Sequence, residues 1–180
     1  NVASASLLEG IVGNIKAFAD RAIVGTEQER LSFLNGILEK LGLPGASDLK
    51  TATDLMEKNM AQLVKNSPAA SDAARVVIQL GSPHPTMNKT AILEASDQII
   101  GQIRMSKDVY KHMLPTFLTG DRKAYLEKLG KLSDVTDARV WQFEALGAAE
   151  RERMVAAMKP EDRKAFKDKI QKAEQMGFFK

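Results

Sequence analysis

The two histidines are the first residues to consider for chemistry, because histidine is the usual general base and metal ligand. His84 lies between Pro83 and Pro85, and His112 lies near the end of a long helical pattern. A helix joining them would hold them roughly 40 Å apart, so they cannot share one metal ion. We therefore interpret His84 as a turn residue and His112 as a surface residue.

Other arrangements that carry chemistry are missing from the sequence. There is no cysteine for a thiolate, a disulfide or a zinc site. There is no Glu-x-x-His pair, glycine-rich phosphate loop or serine elbow. Glu94 and Asp97 are neighbours on a polar helix flank and are predicted to be solvated. We therefore predict no catalytic residue, no metal ligand and no cofactor, and a protein that is not an enzyme.

Helices are the elements that would position any functional side chain. The 180 residues are 44% hydrophobic, 27% charged and only 6% aromatic, with many Ala, Leu, Met, Lys and Glu residues that favour helix. Every strong hydrophobic pattern repeats at three- and four-residue steps. The predicted fold class is all-α, a multi-helix bundle of about eight or nine helices around one long central helix.

The central helix is predicted from Thr86 or Met87 to near Leu114. It should end at Pro115, because proline lacks an amide proton and clashes with the preceding turn. Its apolar face predicts a core role for Ile99, Ile100 and Ile103. The shorter helices on either side are expected to pack on it.

Glycine, proline and capping residues mark the limits of the shorter helices. One such signal is a capping box at Thr26–Glu29. Turn signals come closer together after Pro115, which predicts two domains: a helical bundle over 1–118 and a C-terminal subdomain of short helices over 119–180. No apolar run approaches the roughly 20 residues of a membrane span. The amphipathic N-terminal stretch does not resemble a signal peptide.

The N-terminal segment carries a broad apolar stripe, which we call the N-terminal stripe. Its members include Leu7, Leu8, Ile11 and Ile15, and we predict these four as candidate interaction residues. Such a stripe needs either a partner protein or a covering helix. The Ser47–Asn66 helix could equally well cover the stripe. The stripe is therefore predicted to be either an interface with a partner or part of the protein's own core.

The C-terminal part holds the densest basic charge, in a chain of net charge +3. Basic residues recur from Arg151 to Lys172, but acidic residues lie among them and no aromatic platform is interleaved. A solvated helix face is therefore favoured over nucleic-acid binding, which stays a less favoured alternative. Phe178 and Phe179 are candidate interaction residues that either anchor a partner or dock into the core of the protein.

The segment from about Asp54 to Tyr125 resembles a known class of proteins in the order of its motifs. Asn66-Ser67-Pro68 precedes Ser71-Asp72-Ala73-Ala74-Arg75, and the turn Ser82–Pro85 leads to Thr86 and a long helix with Lys107–Lys111 near its end. This order is similar to that of helical internal or ejection-type virion proteins of tailed bacteriophages. The resemblance implies an oligomeric helical structural protein. No residues match the peptidoglycan-cleaving domain that some of those proteins carry.

The sequence therefore predicts a structural and interaction protein of a phage virion, which acts in particle assembly or genome delivery. Its partners would be further copies of itself or other virion proteins. Its location would be the virion, or the cytoplasm if the resemblance does not hold. The alternative is a small helical enzyme or regulator with a ligand pocket. A broad exposed apolar patch would favour assembly, and a deep pocket with convergent polar groups would favour a ligand.

Overall fold

A computed structural model describes residues 2–22, 25–63, 68–81 and 88–179. Nine helices and no strand occupy these residues, so the all-α prediction with one long central helix is confirmed. The helices are α1 (Val2–Ala22), α2 (Glu27–Lys40), α3 (Leu49–Leu63), α4 (Pro68–Gly81), α5 (Lys89–Leu118), α6 (Arg122–Ser133), α7 (Ala138–Ala145), α8 (Ala148–Ala156) and α9 (Pro160–Gln175).

Side-chain caps fix where several of these helices begin. The predicted capping box of α2 is confirmed: Glu29 N donates to Thr26 Oγ1 at 3.3 Å, and Thr26 N donates to Glu29 Oε2 at 2.7 Å. At the start of α5, the Asn88 side chain accepts a 2.9 Å hydrogen bond from Ala91 N. These bonds satisfy amide groups that have no partner inside a helix. The predicted start of the central helix at residues 86–87 lies outside the described residues.

The prediction that the central helix ends at Pro115 is wrong, because α5 continues to Leu118. Proline removes only one backbone donor, and the residues after it keep theirs. Lys128 of α6 lies against this last stretch. Its Nζ donates to the His112 carbonyl at 2.5 Å and to Thr116 Oγ1 at 3.3 Å, which stabilises the end of the helix.

Contacts divide the chain into two compact units, residues 1–100 and 101–180, so each unit contains part of α5. The domain limit predicted from turn spacing lies later, between 118 and 119, and stays a prediction. Turn spacing reflects helix length, whereas compactness depends on which helix faces touch. We describe the two units separately.

The N-terminal unit buries one face of each of its helices. α1 packs chiefly on α2 and α4, and α3 packs on α2 and α4. Lys16 Nζ of α1 lies 2.6 Å from Asp97 Oδ1 of α5, and buried Ser96 donates to the Ile92 carbonyl at 2.8 Å. The buried apolar residues are Leu8, Ile11, Val12, Ile15, Ala19, Leu34, Ile37, Leu38, Leu49, Ala52, Met56, Ala73, Val76, Val77, Ile92 and Ile99.

The C-terminal unit is organised around one buried tryptophan. Trp141 of α7 is 2% exposed, and its indole N–H donates to Asp108 Oδ2 of α5 at 3.0 Å. The other buried core residues are Met113, Leu132, Val135, Val140, Phe166 and Ala173. Of the three isoleucines predicted to be buried, Ile99 and Ile103 are, while Ile100 is half-buried.

Gly101 permits the close approach of α5 and α7. A Cβ atom at this position would lie 2.6 Å from the Ala138 carbonyl oxygen and 3.0 Å from Gln142 N. Real Cβ atoms are almost never so close to backbone atoms. The indole of Trp141 can reach α5 only because no side chain separates the two helices here.

Two arginines, twelve residues apart, join consecutive C-terminal helices in the same way. Arg151 of α8 donates from Nε to the Leu146 carbonyl at 2.9 Å and from Nη2 to the Glu144 carbonyl at 2.8 Å. Arg163 of α9 makes the equivalent bonds to the Met158 and Ala156 carbonyls, at 3.0 and 2.9 Å. Each guanidinium thus donates to carbonyl groups at the end of the preceding helix. Without the arginine, these carbonyl groups would need hydrogen bonds from water.

Asp137 links the start of α7 to α9. Its carboxylate accepts hydrogen bonds from Arg139 N, Nε and Nη2, and from Lys169 Nζ at 3.0 Å. Burial by itself would raise the pKa of Asp137, but the hydrogen bonds from Arg139 and Lys169 outweigh it and lower the pKa to about 2. The ionised form is therefore the form that stabilises the unit.

We predict that Gly101→Ala destabilises the protein by about 1–3 kcal/mol, because the added methyl group meets backbone atoms that cannot move independently. Gly130→Ala in α6 is the matched control, since nothing lies within 4 Å of its built Cβ. This control should gain up to about 1 kcal/mol from helix propensity. Urea unfolding measures both, and equal stabilisation by the two substitutions would contradict the close approach.

We predict that Asp137→Asn lowers the free energy of unfolding near neutral pH by about 1–3 kcal/mol. The pKa of Asp137 is lowered in the folded protein, so its contribution is complete above the unfolded pKa and is lost as pH falls through about 2. The free energies of unfolding of the parent and the variant should therefore become equal in acid. Urea unfolding across this pH range tests it, with exposed Asp134→Asn as the control. A stability difference that does not change with pH would exclude the ion-pair explanation.

Candidate interaction surface

The structure places the N-terminal stripe inside the N-terminal unit. Leu8, Ile11 and Ile15 are at most 1% exposed, and Leu7 is half-buried. α2 and α4, more than the predicted Ser47–Asn66 helix, lie against α1. Leu8, Ile11 and Ile15 therefore lie in the core of the unit and are not accessible to a partner in this conformation, whereas Leu7 keeps part of its surface exposed.

The C-terminal aromatic pair also lies against the protein itself. Phe178 and Phe179 are half-buried, and each ring centroid lies 5.3 Å from the Trp141 ring in an edge-to-face arrangement. The Phe178 ring also lies 4.9 Å from the His112 ring. Burial, together with the Lys128 ammonium, lowers the pKa of His112, so this imidazole is neutral near pH 7. The other histidine, His84, lies outside the described residues.

The exposed apolar residues lie elsewhere, on α5 and α6. Among the side chains whose exposure the structure describes, every large exposed hydrophobic one falls between residues 110 and 129. The exposed fractions are 52% for Tyr110, 67% for Phe117, 72% for Leu118, 53% for Leu126 and 43% for Leu129. Together with half-buried Leu114 and Tyr125, these residues form what we call the α5–α6 surface.

Helical spacing gathers these residues on two neighbouring faces. On α5, Tyr110, Leu114 and Phe117 recur at four- and three-residue steps, while Met113 points into the core. On α6, Tyr125 and Leu129 are one turn apart, while Leu132 is buried. The two helices are joined by Thr119, Gly120 and Asp121, and the positive φ of Gly120 (71°) allows the tight turn.

The α5–α6 surface is grooved. The Phe117 and Tyr125 rings meet edge to face with centroids 6.2 Å apart. On one side of this pair lies a groove of 190 Å³, lined by Tyr110, Met113, Leu114, Phe117 and Tyr125. On the other side lies a groove of 360 Å³, lined by Thr116, Phe117, Gly120, Asp121, Arg122, Tyr125 and Leu126. Apolar side chains of another molecule could enter both grooves.

Basic side chains border the α5–α6 surface. Lys111 of α5 and Arg122 of α6 are exposed, and no carboxylate among the described residues pairs with either. The nearby acidic groups are already engaged: Asp121 accepts a 2.9 Å bond from Ala124 N as the cap of α6, and Glu127 lies 4.0 Å from Lys123. The apolar patch therefore has a positively charged rim.

The basic C-terminal run is partly used inside the protein. Arg151 and Arg163 bind backbone carbonyls, and Lys169 binds Asp137. These three are thus held away from the role of phosphate contacts. From the sequence alone they read as solvated charges, and only the helix-end geometry identifies their role.

Two further features are absent from the described residues. No group of three or more His, Asp or Glu side chains is placed to hold a metal ion. No described helix combines the length and the hydropathy that crossing a membrane requires. Comparison of the chain with families of known proteins, with curated proteins and with solved structures finds no match.

We predict that Ile15→Lys unfolds the protein, because a buried lysine loses both core packing and its own hydration. The same change at Leu118, which is 72% exposed, should leave the unfolding free energy within about 0.5 kcal/mol of the parent. Circular dichroism and urea unfolding of the two variants check this. A folded Ile15→Lys protein with a smaller mass in solution would instead restore the N-terminal stripe as an interface.

Proposed function

We propose that this protein is a structural and interaction element that binds another protein through its α5–α6 surface. The supporting observation is that the large exposed hydrophobic side chains gather there, among all side chains whose exposure the structure describes. Soluble proteins rarely keep a contiguous exposed apolar patch without a partner. Two grooves beside the Phe117–Tyr125 pair give that patch a shape that side chains of a partner can fill.

We further propose that the partner is a component of a bacteriophage particle, and that the protein acts in assembly or genome delivery. This part of the proposal rests on the resemblance of residues 54–125 to internal virion proteins. The resemblance implies an oligomeric helical structural protein, and an exposed apolar helix pair suits such a role. The partner is either another virion protein or a further copy of the chain.

An enzyme or regulator with a ligand pocket receives less support. The grooves of the α5–α6 surface are lined mainly by apolar residues, and the one carboxylate among their linings, Asp121, is engaged as a helix cap. An open groove along α2 is more polar, but its Asn35 side chain is occupied by two hydrogen bonds with the Ala46 backbone. The Asn35 amide is therefore not free to bind a ligand in that groove.

We predict that the chain is present in purified particles and that Leu118 touches another virion protein there. A photo-crosslinking residue is introduced at position 118, and a matched one at exposed Lys164 on α9. Mass spectrometry should find crosslinks to one virion protein from position 118 and none from position 164. Absence of the chain from purified particles would contradict the virion role, and equal crosslinking from both positions would contradict the role of the surface.

A further inference from the structure

Charge and shape together indicate what kind of molecule the α5–α6 surface binds. The apolar residues run along two adjacent helices, with the grooves lying between and beside them. A groove between two helices is a common receptor for a third, amphipathic helix, which inserts side chains from successive turns.

The rim of the surface adds a charge requirement. From Val109 to Leu132 the chain holds five basic and two acidic residues, and neither acidic side chain forms an ion pair with Lys111 or Arg122. Lys111 and Arg122 therefore project positive charge beside the exposed apolar residues. A partner with acidic residues next to its apolar face would gain from this field, and a basic partner would be repelled.

The same charge argues against a second copy of the chain on this surface. A two-fold symmetric contact brings the same patch of both molecules together. Lys111 and Arg122 of one copy would then face the basic rim of the other copy. Like charges facing each other across an interface are unfavourable.

We propose that the α5–α6 surface binds an acidic amphipathic helix of a different protein. Its apolar side chains occupy the two grooves beside Phe117 and Tyr125, and its carboxylates face Lys111 and Arg122. This inference rests on the proposed function, because it names the partner of the same surface.

The test uses two synthetic amphipathic helical peptides with leucine at helical spacing, one with glutamate and one with lysine at the flanking positions. Fluorescence anisotropy measures their binding to the full chain at low salt. The glutamate peptide should bind at least about tenfold more tightly than the lysine peptide, and added salt should narrow the difference. Equal binding of the two peptides, or no binding of either, would overturn the proposal.

Variants locate the binding site. The double variant Lys111→Glu with Arg122→Glu should bind the lysine peptide more tightly than the glutamate peptide. The double variant Phe117→Ser with Leu126→Ser should bind both peptides about tenfold or more weakly. Lys164→Glu with Lys167→Glu is the control, since it makes the same charge change on exposed residues of α9 and should leave the preference unchanged. A control that reverses the preference as fully as the rim variant would overturn the proposal, because net charge alone would then explain it.

Two further measurements decide between the remaining occupants. Vesicles of anionic phospholipid that bind the chain while neither peptide does would assign the surface to a membrane. If light scattering shows that the parent is a dimer and that the Phe117→Ser, Leu126→Ser double variant is a monomer, the α5–α6 surface binds a second copy of the chain. Either outcome would overturn the proposal that the surface binds an acidic helix. Because detection in particles is a separate experiment, the virion role and the peptide preference can each fail alone.

Discussion

The C-terminal unit depends on the burial of Trp141. A buried indole must place its N–H on an acceptor, since an unpaired buried donor costs about 1–3 kcal/mol. Asp108 supplies that acceptor from α5, and Gly101 leaves the space for α7 to come within reach. Phe178 and Phe179 then cover the ring from the other end of the chain. The side of α5 that faces the tryptophan is thereby fixed.

Because one side of α5 is fixed against the core, the residues of α5 and α6 that remain exposed are also determined. Met113 and Leu132 go into the core with Trp141, while Phe117 of α5 and Leu126 of α6 stay exposed. Lys128 holds the two helices together by bonding to the end of α5. The exposed patch thus follows from how the core is packed, and the backbone that carries the patch is already held in place.

Helix type and most helix limits could be predicted from the sequence, because they depend on local features. The capping box at Thr26 and the apolar steps through Ile99 and Ile103 act within one or two turns. Pro115 misled the prediction because a proline near a helix end removes a single donor, and stabilising contacts from α6 are not local. The roles of Arg151 and Arg163 were hidden for the same reason, since a surface arginine and a helix-capping arginine look alike in sequence.

The site was harder to predict than the fold because it depends on which stripes are covered. The N-terminal stripe is broader in sequence than the apolar face of α6. α2 and α4 pack on α1 and the stripe is largely buried, whereas the α5–α6 surface is exposed. Hydroxyl-radical footprinting of the full chain measures the solvent exposure of these side chains directly. Leucines at different positions can be compared with one another, since they react alike when equally exposed. Leu118 and Leu126 should be oxidised many times faster than Leu8 and Leu34. Protection of Leu118 and Leu126, with rapid oxidation of Leu8, would contradict the account.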